Sequence, residues 1–94
     1  MKTEFLEKVT EVRNTIVAFQ TTISKYEHLP IDLIGSIQSD LTIALRSIGM
    51  VPPLLSSNYR DAMYYFNRAC TLVGIVQGKI MGYKYAEMVK EKTP

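Results

Sequence analysis

Apolar residues return every three or four positions in three separate stretches of this chain, with Pro30 between the first two and Pro52 and Pro53 after the second. That rhythm matches the 3.6-residue turn of an α-helix, not the two-residue alternation of a half-buried strand. In the first stretch the series is Phe5, Val9, Val12, Ile16, Phe19, Ile23 and Tyr26. It predicts an amphipathic helix over 4–27, with Thr3 as N-cap, Glu4 and Glu7 at the positive end of the dipole, and Glu4 and Lys8 paired one turn apart. Pro30 sets its end, because the residue before a proline is pushed out of helical geometry. Leu6 and Val17 lie beside the seam and widen it towards a face that meets two neighbours.

After Pro30 the pattern resumes with Asp32 as a capping residue and Ile34, Ile37, Leu41, Ala44 or Leu45, and Ile48 on one side, which predicts a helix over 31–48. Gly49 suits its C-terminal cap, and Pro52 and Pro53 oppose continuation. Residues 50–57 then read as a connector that folds Val51, Leu54 and Leu55 over the end of a bundle. Ser57 or Asn58 opens the third stretch, with Asp61 in its first turn and Tyr59, Ala62, Phe66, Ala69, Val73, Val76, Ile80 and Tyr83 on the apolar side. An unbroken helix over 58–92 would be about 50 Å long at 1.5 Å per residue, against roughly 36 and 25 Å for the other two.

The fold class that follows is all-α: an antiparallel three-helix bundle in one domain spanning 1–94, with a long C-terminal helix. In that arrangement the third helix outruns its neighbours from about residue 75 onward, yet still carries Ile80, Met81, Tyr83, Tyr85, Met88 and Val89. An apolar overhang of this kind predicts a homo-oligomer or a partner protein joined through the third helix.

Gly74, Gly78 and Gly82 recur at four-residue spacing inside that helix, and Cys70 and Ala86 extend the row. Each glycine in a helix interior costs about 0.8–1 kcal/mol relative to alanine, so the row forfeits roughly 3 kcal/mol unless something offsets it. Close approach of another helix backbone is the first reading. A kink or end near Gly82, and room for a planar ligand against the backbone, are the other two. The expected interface is Gly74, Gly78, Gly82, Met81, Tyr83, Tyr85 and Met88.

A second group of residues raises a different possibility. Arginines interleave with aromatic rings in the stretch Asn58 to Arg68, and such mixtures hold phosphates and stack bases. Arg60, Tyr64, Arg68 and Lys79 are accordingly candidate contacts for a nucleotide or similar anionic small molecule bound at a subunit interface. Against this, Tyr59, Ala62 and Phe66 belong to the core stripe, and Tyr65 fits its edge. Tyr64 lies off that stripe.

Catalytic and metal chemistry find little support. His28 is the sole histidine and Cys70 the sole cysteine, which leaves neither a zinc-ligand set nor a nucleophile with a built-in base. Glu4, Glu7 and Glu11 solvate one helix face, and no phosphate-binding loop or serine-nucleophile turn is present. A non-catalytic binding protein of the adaptor, inhibitor or immunity type, without a cofactor, is the leading expectation.

Charge and composition narrow the partners. Residues 58–94 carry six basic and three acidic side chains, whereas 1–30 balance four against four and 31–57 carry one Arg against two Asp. Lysines near a helix C-terminus complement its dipole, so Lys84, Lys90 and Lys92 have a structural reason to be there. Nucleic-acid binding by this basic third ranks behind protein and nucleotide partners. One cysteine excludes an intrachain disulfide, the opening MKTEFLEKVTEVR has no apolar leader, and the run Ala69 to Val76 is too short to cross a bilayer. A cytoplasmic location without a membrane span is expected.

Overall fold

The computed structural model describes residues 2–26 and 29–92, and these form three helices: α1 (Lys2–Ile23), α2 (Ile31–Leu54) and α3 (Tyr59–Lys92). The three-helix, all-α architecture is the one the apolar rhythm predicts. The bounds differ at several ends, for physical reasons.

Helix α1 begins before Thr3, which therefore lies inside the helix and does not cap it. Its far end closes early: Lys25 N–H donates to Thr22 O at 3.0 Å and Tyr26 N–H to Ile23 O at 3.2 Å, three-residue bonds that tighten the last turn. The expected end at Glu27, like His28, falls outside the described residues. Val9, Ile16 and Ile23 are buried at strict seven-residue spacing, while Phe5, Val12, Phe19 and Tyr26 are half-buried against the core. Leu6 and Val17 are exposed, so the widened stripe expected of them is not used. This helix packs mainly on α2 and only lightly on α3.

Helix α2 starts from Pro30, whose extended backbone (φ −57°, ψ 141°) occupies the N-cap; Asp32 sits in the first turn and does not cap through its side chain. More consequential is the other end. The helix does not stop at Ile48, Gly49 has no positive φ, and the chain stays helical through Pro52 and Pro53. Val51 explains this: it continues the series Ile37, Leu41, Ala44 and Ile48 by one more step and is fully buried. Leu54 and Leu55 pack against the same core. Burial of these side chains offsets the two backbone donors that the prolines lack. The expected connector is thus a last turn of α2, and it covers the bundle end as a helix rather than as a loop.

Asn58 caps α3. Its Oδ1 accepts from Asp61 N–H at 3.2 Å, its Nδ2 donates to Asp61 Oδ2 at 2.9 Å, and its carbonyl accepts the first helical bond, from Ala62 at 3.0 Å. From there α3 is continuous to Lys92, without the break near Gly82 that three glycines could have caused. Ala62, Ala69, Val76 and Ile80 are buried, and the two alanines, with Ala44 of α2, let α2 and α3 pack closely. Tyr59, expected on the core stripe, is exposed.

Side-chain contacts fix the register. Phe5 and Phe66 stack with ring centroids 4.9 Å apart, and the Lys84 ammonium lies 5.7 Å from the Tyr26 ring centroid, so α1 and α3 run parallel. Lys79 donates to Ser36 Oγ at 2.5 Å and Asp40 Oδ2 at 2.6 Å, while Ser47 and Met50 lie across a cleft from Tyr65 and Arg68, so α2 runs antiparallel to α3. Carrying that register back from Ser36 and Asp40 to Ile31 reaches the level of Lys84 to Met88. The overhang therefore begins there and not at residue 75: α2 is six residues longer than expected, and the packing register of Lys79 on Ser36 and Asp40 supplies the rest. The molecule measures 58 × 20 × 17 Å, a rod somewhat longer than the roughly 50 Å of α3.

Candidate interaction surface

On a helix each residue turns 100° from the last, so glycines four apart drift only 40° per step and stay on one side. Between Thr71 and Val89, the residues within about 60° of Gly78 are Thr71, Gly74, Ile75, Met81, Gly82, Tyr85 and Val89. All are exposed, none is charged, and this side is opposite the buried Val76 and Ile80. Met81 is 70% exposed and Tyr85 69%, with Met88 at the edge of the face also largely open. The same line continues towards the N-terminus through Asn67, Tyr64 and Arg60.

The glycines do not serve packing inside the chain. A Cβ built on Gly74, Gly78 or Gly82 meets nothing within 4 Å, and none of the three has a positive φ that would demand glycine. Neither cause of a glycine's retention, tight internal contact or special backbone, operates here. Their helix-propensity cost stands uncompensated within the monomer. Among the residues expected at the interface, Gly74, Gly78, Gly82, Met81, Tyr85 and Met88 do share this open side. Tyr83 does not: it packs against the core and lines a cleft of ≈ 300 Å³ with Tyr26, Leu29 and Ile80 at the α1–α2 end.

The four candidate anion contacts are not brought together. Arg60 and Tyr64 lie on the open face, Tyr64 edge-on to Tyr65 with ring centroids 5.2 Å apart. Lys79 is engaged by Asp40 and Ser36, and Arg68 borders a separate cleft between α2 and α3. The other basic residues of this third are equally dispersed, with Lys84 over Tyr26 and Lys90 3.9 Å from Glu87. Sequence reasoning missed Arg46 and Ser47, which line that same cleft from α2. Ser47 falls beside Ala44 and Ile48 on the apolar stripe, a signal that one polar group is carried into the core.

Cys70 lies in a shallow groove with Glu11, Val12, Thr15 and Val73. Partial burial raises its thiol pKa, the opposite of what activates a nucleophile. Among the described residues no three His, Cys, Asp or Glu side chains are placed to hold a metal ion, and no helix is long and apolar enough to cross a membrane. Comparison with protein-family models, curated proteins and solved structures finds no match to the chain.

Proposed function

We propose that this chain is a non-catalytic binding protein of the adaptor or inhibitor class whose outward α3 face receives another helix, in its simplest form the α3 of a second copy. The observation that carries the reading is the row of three glycines with open Cβ positions on a side of the longest helix that is apolar-rich and uncharged from Thr71 to Val89. Glycine lets two helix backbones approach closely, so the helix propensity lost in the monomer is recovered as contact in the complex. Area supports a macromolecular occupant. Taking about 200 Å² for a large side chain, the exposed fractions of Tyr64, Ile75, Met81, Tyr85, Met88 and Val89 add to roughly 700 Å². A standard interface buries about 800 Å² per partner.

Sedimentation equilibrium of the full chain and of Gly78→Leu tests this. The wild type should show a mass above 10.7 kDa that rises with concentration. Leucine at Gly78 points into open space in the monomer, so the variant should keep its helicity and lose the association. A monomeric wild type, or an unchanged mass in the variant, contradicts the reading.

A further inference from the structure

Between α2 and α3, Ile43, Arg46, Ser47 and Met50 face Tyr65 and Arg68 across a cleft of ≈ 240 Å³. The spacing explains the grouping, since 43, 46, 47 and 50 occupy one side of two helical turns and 65 and 68 stand one turn apart on α3. Ser47 is the polar residue carried into the core, at 5% exposure. The threonine hydroxyls at 10, 15, 21 and 42 each donate back to the carbonyl four residues earlier, but the Ser47 hydroxyl makes no hydrogen bond among the described residues. Among the described residues no side-chain polar atom sealed from solvent lacks a partner, so this hydroxyl, which lines the cleft, is open to it. Arg46 and Arg68 border the same space, and neither forms an ion pair among the described residues.

Two exposed arginines on different helices and a hydroxyl that opens between them border one cleft whose lining holds no carboxylate, and together they supply donors and positive charge. A phosphate monoester answers all three: it is a dianion near neutral pH, offers three acceptor oxygens and accepts arginine forks in pairs. A carboxylate would neutralise one arginine only. Ile43, Met50 and Tyr65 add an apolar wall for the body of the ligand. The volume is below the roughly 300–1,000 Å³ of drug-sized sites and suits a phosphate carrying a ring-sized group. We propose that this cleft binds a small organic phosphate monoester, its phosphate held by Arg46, Arg68 and the Ser47 hydroxyl. The site is independent of the open α3 face.

The test is an amide chemical-shift titration of the chain with phenyl phosphate, benzoate and inorganic phosphate at constant ionic strength, on the wild type and on Arg46→Gln, Arg68→Gln and Ser47→Ala. Phenyl phosphate should saturate with shifts concentrated at Ile43, Ser47, Met50 and Tyr65, and bind more tightly than the other two. Each arginine variant should weaken it about tenfold and Ser47→Ala about fivefold, with the circular dichroism spectrum unchanged. Absence of saturation, equal affinity for inorganic phosphate or benzoate, or affinity unchanged in both arginine variants overturns the proposal.

Discussion

Replacing Gly74, Gly78 and Gly82 together by alanine separates what these residues do in the folded chain from what they do between chains. In the monomer each new methyl enters open space, with nothing within 4 Å of the added Cβ. No steric term then opposes the gain in helix propensity, about 0.8–1 kcal/mol per site and roughly 2.5–3 kcal/mol for the three. For a domain of this size each kcal/mol moves Tm by about 4–8 °C, so the dilute triple variant should melt roughly 10–20 °C above the wild type. In the complex the same methyls hold the partner backbone away, so association should weaken as stability rises. Thermal unfolding at low micromolar concentration gives the first quantity and sedimentation the second. Gly49→Ala is the control: its Cβ position is equally open but lies on α2, so it should stabilise by about 1 kcal/mol and leave association alone. An unchanged or lower Tm for the triple variant at low concentration would refute the open-face geometry. A raised Tm with association intact would refute close backbone approach.

The remaining expectations concern the bundle itself. Ile37→Ala removes a fully buried side chain from the centre of α2 and should cost about 2–5 kcal/mol in urea unfolding; a loss below 1 kcal/mol would mean that α2 does not carry the core. Pro52→Ala restores a backbone donor within helix, worth about 3 kcal/mol, and gives up to about 1 kcal/mol of unfolded-state restriction, so a net gain of about 2 kcal/mol is expected. Destabilisation would place Pro52 in a turn instead. A double-mutant cycle on Lys79→Met and Asp40→Asn should return a coupling of about 1 kcal/mol that shrinks with salt, since the pair is only partly buried. Cys70, with its thiol pKa raised by burial, should alkylate slowly at neutral pH and faster as pH rises above the ordinary thiol range; rapid modification at pH 7 would contradict that environment.

The seam of α1 and the stripe of α3 were legible because four-and-three spacing admits one structure, and the buried Val9, Ile16, Ile23, Ala62, Ala69 and Val76 follow it. The end of α2 was not, because local rules at Gly49, Pro52 and Pro53 all favour a stop. Burial of Val51 overrode them, a tertiary effect that spacing alone weighs poorly. That one misplaced end, six residues long, also accounts for more than a turn and a half of the shift in the start of the overhang. The glycine row was visible as a pattern, and its place opposite Val76 and Ile80 follows from helical spacing. What the sequence did not show is that the space beyond each glycine is open, with nothing within 4 Å of an added Cβ. The meeting of Arg46 and Ser47 with Arg68 depends on the α2–α3 register, which no local signal encodes.

The central claim is that the outward side of α3 is where this protein meets its partner, and a dilution series of amide spectra tests it residue by residue. Recorded from millimolar to tens of micromolar, concentration-dependent shifts should concentrate at Thr71, Gly74, Ile75, Gly78, Gly82 and Tyr85, with the exposed side of α1 unmoved. Spectra that do not change with concentration, or changes that map to α1 or α2 instead, would contradict it.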